Sequence, residues 1–162
     1  QILMNAEKNQ AMAIITETTE EIEFVTPRKQ VIQKTKEEHW AWRMKSVEAI
    51  ASQLDPQRFG VEGFYIFGST KNGNAGPQSD IDVLVHFRGN EKQQEDLLTW
   101  LEGWGLSLGQ MNYERTGYKT QNLLDVHIVT DEDIKNRSSY AVKIGASLDP
   151  ARPLTIGTNL KG

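Results

Sequence analysis

The chain is most constrained by a polar, glycine-rich loop that lies between two apolar segments. Residues 61–67 are aromatic and β-branched, which is typical of a strand. Residues 81–87 are nearly all apolar and predict a second strand, buried on both faces. The connecting residues 71–79 contain two glycines, two asparagines and a proline, a composition typical of a loop. The whole segment therefore predicts two strands joined by an irregular connection.

The residues at the two junctions of this segment are those that phosphate chemistry on divalent metals requires. Gly68 removes a side chain where backbone must approach a ligand, and Ser69 offers a hydroxyl and an amide. Asp80 and Asp82 open the second strand on the same face, with their Cα atoms about 7 Å apart. Two such carboxylates repel each other unless a cation neutralises them. We therefore predict a Mg²⁺ site, because Mg²⁺ prefers oxygen ligands and completes its shell with substrate phosphates.

A third carboxylate, that of Asp125, interrupts the otherwise apolar residues 123–129, which predict another strand. An acid in such a strand is costly to bury unless it is paired or bound to metal. If this strand lies beside residues 81–87, Asp125 completes a three-carboxylate site for two Mg²⁺ ions about 3.5–4 Å apart. The structural alternative for Asp125 is a satisfied acid on an edge strand.

The remaining patterns predict helices around a small sheet. Thr26, followed by proline, resembles a helix start, and apolar residues recur every three or four positions over 40–54. Residues 90–104 predict a second helix, residues 106–118 predict one or two strands, and Thr130 resembles the cap of a short helix. The predicted fold class is α+β, with a small mixed sheet flanked by helices.

Three parts are predicted along the chain. Residues 1–26 form an N-terminal extension whose structure the pattern does not assign. Residues 27–137 carry the periodic helices and strands and form the functional domain. Residues 138–162 are interrupted by glycine and proline and predict an irregular C-terminal tail. Because the chain begins with Gln1 rather than methionine, we expect it to be processed or cut from a longer protein.

Charge and composition narrow the partners. The formal net charge is −4 and no dense lysine or arginine cluster is present, which disfavours long nucleic acid as a partner. The absence of cysteine excludes disulfides and thiolate metal sites and fits a reducing cytoplasm. No segment approaches the roughly 18 apolar residues of a membrane helix. We expect a cytoplasmic protein with no membrane partner, and the long first helix is compatible with a homodimer.

The chain resembles the DNA polymerase β-type nucleotidyltransferases, and their small members, the minimal nucleotidyltransferases, most closely. The resemblance rests on Gly68-Ser69, ten intervening residues, Asp80-Ile81-Asp82 and the isolated aspartate on a later strand, and it spans residues 60–130. It implies a polymerase β-like nucleotidyltransferase fold. It also implies transfer of a nucleoside monophosphate, often AMP, from a nucleoside triphosphate such as ATP to a hydroxyl, with release of pyrophosphate.

The resemblance further implies a role for each matching residue. Gly68 and Ser69 would bind the triphosphate of the nucleotide. Asp80 and Asp82 would be catalytic metal ligands. Asp125 would complete the metal site and take the proton of the acceptor. The net charge favours a small molecule or a protein as this acceptor over long nucleic acid.

One position departs from the family pattern. Many members carry an arginine in the loop after Gly-Ser, whereas this chain has Lys71, which supplies charge without a bidentate fork. Lys71 is therefore the third candidate nucleotide-binding residue. The alternative function is a non-catalytic nucleotide-binding or interaction module of a larger enzyme or of a toxin–antitoxin pair.

Two strand histidines share faces with the candidate carboxylates. His127 lies on the face of Asp125, and His86 lies on the face of Asp82. Either one could contact a nucleotide, and we interpret both as packed or hydrogen-bonded strand residues.

Overall fold

The structure is a computed structural model that describes residues 38–160. The described residues belong to one unit of the chain, which spans Lys34–Gly162. The predicted N-terminal extension, and the helix start predicted at Thr26, lie outside the described residues. The division into three parts therefore stays a prediction.

In the described part of the chain, four strands form one mixed sheet: β1 (Val61–Phe67), β2 (Ile81–Phe87), β3 (Leu124–Val129) and β4 (Arg152–Pro153). Their order across the sheet is β3-β2-β1-β4. β2 pairs antiparallel with β1 and parallel with β3, and β4 pairs antiparallel with β1. The prediction of a mixed sheet flanked by helices is confirmed.

The helical elements connect these strands and cover the sheet. They are α1 (His39–Gln53), α2 (Pro56–Phe59), α3 (Gly68–Lys71), α4 (Glu91–Thr116), α5 (Asp131–Lys135) and two 3₁₀ turns (Ser139–Lys143 and Thr158–Leu160). Side chains cap two of the starts, since Asn90 accepts a hydrogen bond from the Gln93 amide and Thr130 accepts one from the Asp133 amide. These capping boxes explain why α4 and α5 begin where they do.

Most of the predicted apolar face of α1 is buried. Met44, Val47 and Ala51 belong to the core, whereas Trp40 is 39% exposed. His39, the neighbour of Trp40, is buried. The buried stripe thus reaches the start of α1 one position earlier than the hydrophobic pattern indicates.

The prediction of strands over residues 106–118 is wrong, because this stretch continues α4. Helical spacing buries Gly105, Leu108, Gly109 and Asn112 on one side. The two glycines are needed because the chain after the helix passes very close: a Cβ on Gly109 would lie 2.6 Å from the Thr120 carbonyl oxygen. Gly117 ends α4 in a left-handed conformation, with φ of 82°.

The C-terminal stretch that we predicted as irregular contributes to the sheet. β4 lies beside Tyr65 and Ile66 of β1. Ala141 and Ala151 pack in a small apolar cluster with Phe67, Leu84 and Val129. Residues from this stretch therefore cover part of one sheet face.

The two faces of the sheet have different neighbours because strand side chains alternate. Ile81, Val83 and Val85 pack in the main core with apolar residues of α1 and α4. Leu84 packs in the smaller cluster on the other face, and Asp82 shares that face by alternation. Asp82 therefore lies on the face opposite the one that α1 and α4 cover. Among residues 38–160, none of the helices combines the length and the apolar character that a membrane span requires.

Candidate active site

Two of the predicted carboxylates are brought together by strand pairing. Asp82 of β2 is the register partner of Asp125 of β3. Neighbouring strands lie about 4.8 Å apart, so side chains in register on one face are in close reach of each other. A site that includes Asp125 requires the strand of Asp125 to lie beside β2. The pairing of β2 with β3 meets this requirement. Asp125 is half-exposed on the edge strand rather than deeply buried.

The pKa values of Asp80 and Asp82 are raised, by burial and by the proximity of the carboxylates to one another. Burial raises the pKa of Asp82 to about 6, and the charge of Asp125, a hydrogen bond with it and the charge of Asp80 act in the same direction. Partial burial and Asp125 also raise the pKa of Asp80, although this residue reaches solvent, while Arg43 opposes the rise. Carboxylates that destabilise one another in this way favour a bound cation.

A histidine joins the carboxylates. Ligand atoms of Asp82, Asp125 and His127 all lie within 4.8 Å of one another, and His127 Nε2 is 3.3 Å from Asp125 Oδ2. The imidazole stacks on the ring of Tyr140, with centroids 3.9 Å apart. Asp80, which we predicted as a ligand, is not a member of this three-residue group. The donor set of two carboxylates and one imidazole fits a divalent metal ion.

The Gly-Ser turn lies against the carboxylate of Asp82. Phe67, the last residue of β1, is the register partner of Asp82, so the chain enters α3 beside that carboxylate. Gly68 has φ of +75°, and a Cβ at this position would lie 3.2 Å from Asp82 Cγ and closer still to Oδ2. Ser69 is half-buried, and its carbonyl accepts a hydrogen bond from the Asn74 amide at 3.0 Å. No side chain of the described residues caps the start of α3.

A buried arginine holds the loop that precedes Asp80. The guanidinium of Arg43 donates to the Ser79 carbonyl at 3.0 Å, to the Pro77 carbonyl at 3.3 Å and to Asn112 Oδ1 at 3.0 Å. Asn112 donates in turn to the Pro77 carbonyl at 3.0 Å. Residues of α1 and α4 thus hold the end of the loop, and this places Asp80 directly before β2.

The charged guanidinium of Arg43 lies in the protein interior, which is unusual for an arginine. Its side chain is fully buried, and burial lowers its pKa to about 10, with the nearby Arg115 acting in the same direction. The charge of Asp80 partly offsets this. The sequence patterns did not identify Arg43 and Asn112 as residues that support the site. Arg43 lies four positions before Val47 on the apolar face of α1, and a charged residue on that face was the sign that it could have a structural role.

Lys71, the third predicted nucleotide-binding residue, has a partner within the chain. Its ammonium lies 2.7 Å from Asp149 Oδ1 and donates to the Pro150 carbonyl at 2.7 Å. The lysine therefore ties the end of α3 to the C-terminal stretch. Its predicted contact with triphosphate requires this ion pair to open.

Comparisons with known proteins show which family the chain is similar to. The family model described as "Nucleotidyltransferase domain" matches residues 44–148, a range that contains every predicted site residue. Among solved structures, the crystal structure of a "putative nucleotidyltransferase" from Sulfolobus solfataricus is similar to 67% of this chain and 81% of its own, with 19% identity and a TM-score of 0.30. None of the curated proteins matches the chain.

Proposed function

The chain belongs to the nucleotidyltransferase domain family and its general activity is nucleotidyl transfer, and from that premise we propose a specific reaction. In this reaction a nucleoside monophosphate, AMP, moves from ATP to a hydroxyl of a small-molecule or protein acceptor, and pyrophosphate is released. The bond breaks between the α-phosphorus and the oxygen that bridges it to the β-phosphorus, and this oxygen leaves with pyrophosphate. A bond forms between the acceptor oxygen and the α-phosphorus.

The observation that carries this proposal is the register of Asp82 and Asp125, with the glycine of the Gly-Ser turn against the first of them. Triphosphate and metal ligands must lie within a few ångströms of each other for phosphoryl chemistry. The pairing of Phe67 with Asp82 joins both parts in one place. Distant segments of sequence thus meet at one end of the sheet.

Metal binding is proposed from the donor set. Asp80, Asp82 and Asp125 would hold two Mg²⁺ ions, because carboxylate oxygens are the ligands that Mg²⁺ prefers. The raised pKa values of Asp80 and Asp82 support this, since a cation relieves the repulsion among ionised carboxylates. When bound, the ions supply charge neutralisation for the triphosphate and lower the pKa of the acceptor hydroxyl.

The side chains and backbone of the site would do the remaining work. Asp125, half-exposed at the edge strand, is the group that would accept the proton of the acceptor hydroxyl. Gly68 lets the backbone at the start of α3 lie against the Asp82 carboxylate. The backbone of Gly68 and the hydroxyl of Ser69 would contact triphosphate oxygens beside the metal ligands. Lys71 would balance phosphate charge after release from Asp149. Catalysis would then come mostly from positioning and electrostatics.

The character of the acceptor is proposed from charge and access. The carboxylate face is open at Asp125, so a bulky acceptor such as a folded protein has access to it. The net charge of −4 gives no general attraction for a nucleic-acid backbone. The proposal of AMP rather than another nucleotide rests on the family resemblance alone.

The test is label transfer. The protein is incubated with Mg²⁺, α-labelled ATP and candidate acceptors, and acceptor-bound label and pyrophosphate are measured together. We expect label from α-labelled ATP, none from γ-labelled ATP, and a matching amount of pyrophosphate. Release of orthophosphate without acceptor labelling would contradict the proposed reaction, because it indicates hydrolysis of the terminal phosphate.

A further inference from the structure

We propose that His127 is a metal ligand, and that one of the two ion positions takes a transition ion such as Mn²⁺ or Co²⁺ in preference to Mg²⁺. This inference rests on the proposed function, since it concerns the ion that the Asp82 and Asp125 carboxylates hold. It departs from a site made of oxygen ligands alone. The group that carries it consists of Asp82, Asp125 and His127, which we name the mixed-ligand cluster.

The spacing of the mixed-ligand cluster suits a shared ion. Two ligand atoms that lie about 2.1 Å from one ion, at angles of roughly 90–110°, are about 3.0–3.4 Å apart. His127 Nε2 and Asp125 Oδ2 are separated by 3.3 Å, and all three ligand atoms lie within 4.8 Å of one another. The three groups could therefore contact the same ion with small adjustments.

A second strand histidine shows what an ordinary histidine–aspartate hydrogen bond looks like in this fold. His86 Nε2 lies 2.7 Å from Asp131 Oδ1, and Arg88 satisfies the same carboxylate. The contact of His127 with Asp125 is longer at 3.3 Å, and Asp125 also faces Asp82. His127 therefore lies beside two carboxylates, Asp82 and Asp125, that repel each other. His86 lies beside a carboxylate whose charge is already neutralised by Arg88.

The ring of His127 is held in place by aromatic contacts. Tyr140 stacks on it with an interplanar angle of 34°, and the centroid of Phe67 lies 5.7 Å away. Contacts on the face of an imidazole fix the ring plane and leave its nitrogen-bearing edge for a ligand. A ring held in one plane has fewer orientations to lose when it binds a metal ion.

The chemistry of the ligands determines the preferred ion. Mg²⁺ favours oxygen ligands and keeps several waters, whereas imidazole suits Zn²⁺, Co²⁺, Fe²⁺ and related ions. Two carboxylates with one imidazole are thus a better match for a borderline transition ion. A second ion beside Asp80 would take only oxygen ligands from the chain and would keep the Mg²⁺ preference.

The test compares two histidine variants by metal binding rather than by turnover. Co²⁺ is titrated into the wild-type protein, His127→Gln and His86→Gln, while its visible absorption bands and Mg²⁺ competition are followed. We expect Co²⁺ affinity to fall at least about tenfold in His127→Gln. Affinity should stay within about twofold in His86→Gln, and Mg²⁺ affinity should change little in either variant. Equal Co²⁺ affinity in the wild type and His127→Gln would overturn the inference.

A second measurement needs no variant and so does not depend on folding of His127→Gln. Pulsed electron paramagnetic resonance on wild-type protein loaded with Mn²⁺ detects a directly bound nitrogen. We expect ¹⁴N coupling of a coordinated imidazole, and its absence would overturn the inference. Label transfer with Mg²⁺ but no nitrogen coupling would leave the proposed function intact, whereas failure of every divalent ion to bind would count against both.

Discussion

The backbone of Gly68 lies directly against the carboxylate of Asp82. This contact joins the two ends of a loop that the sequence separates, and it arises because Phe67 pairs with Asp82 across β1 and β2. A turn suited to bind phosphate therefore contacts a carboxylate suited to bind a metal ion.

Substitution of Gly68 by alanine should damage both stability and activity. The residue has φ of +75°, which costs a residue with a Cβ about 1–2 kcal/mol, and the new methyl group would also collide with the Asp82 carboxylate. We expect nucleotidyl transfer to fall by about a hundredfold, because displacement of a metal ligand by about an ångström is sufficient for such a loss. Unfolding in urea and label transfer measure the two effects.

Gly73→Ala is the matched control for this substitution. Gly73 also has a left-handed backbone, with φ of +77°, but no described atom lies within 4 Å of a Cβ placed there. We expect a similar backbone cost in stability and nearly full activity. If both variants lose activity equally, the contact between Gly68 and Asp82 has no special role.

Arg43→Met should loosen the loop before Asp80. The substitution removes hydrogen bonds to the Pro77 and Ser79 carbonyls and leaves polar groups unsatisfied in the interior, which should cost roughly 3 kcal/mol of unfolding free energy. The exposed Arg58, whose guanidinium lies over the Phe59 ring, provides the control. Arg58→Met should change stability by less than about 1 kcal/mol. Equal costs in the two variants would show that Arg43 does not anchor the loop.

The metal-free protein should lose stability as pH rises from about 4 to about 6. Asp82 has a pKa of about 6 in the folded protein and an ordinary value of 3.8, so the folded state holds a proton that the unfolded chain releases within this window. The raised pKa of Asp80 acts in the same direction. Asp131 has a pKa lowered to about 2 by hydrogen bonds with Arg88 and His86, so it contributes only at lower pH.

Thermal melting in the presence of a chelator measures this effect. We expect the fall in melting temperature across the window to be smaller in Asp82→Asn, because the asparagine does not titrate. Added Mg²⁺ should stabilise the wild-type protein more at pH 7 than at pH 5, since protonated Asp82 is a poor ligand. Identical pH profiles for the two proteins would contradict the assignment of the raised pKa to Asp82.

Opening of the ion pair between Lys71 and Asp149 should improve nucleotide binding. Asp149→Asn frees the lysine ammonium, which lies 2.7 Å from the carboxylate, and should lower the KM for ATP several-fold. Lys71→Met should raise it. The Asp149 side chain is exposed, so Asp149→Asn should change the free energy of unfolding by less than about 1 kcal/mol. Asp96→Asn, which breaks the surface ion pair of Lys92, is the control and should leave KM unchanged.

The strands and the carboxylates were predictable because their signals are local. An apolar run shows a buried strand, and an aspartate that interrupts such a run shows a candidate ligand. Whether Asp125 meets Asp82 depends on parallel pairing of β2 with β3, which the sequence could state only as a condition. The structure meets this condition.

The missed features depend on contacts between distant segments. The second half of α4 was predicted as strand, and Gly105 and Gly109 weaken its helical pattern. These glycines are needed because residues 120–122 pass directly against this part of the helix. Arg43 acts on a loop more than thirty residues away. The surroundings of His127 include Tyr140, whose position follows from the C-terminal stretch that we predicted as irregular.

The central claim is that Asp82 and Asp125 together support nucleotidyl transfer, and single-turnover label transfer tests it most directly. Asp82→Asn and Asp125→Asn are compared with Asp131→Asn, which alters an exposed acid that begins α5 and is paired with Arg88. We predict that transfer from α-labelled ATP falls at least about a hundredfold in the first two variants and stays near the wild-type rate in the third. Full transfer by folded Asp82→Asn or Asp125→Asn would contradict the claim.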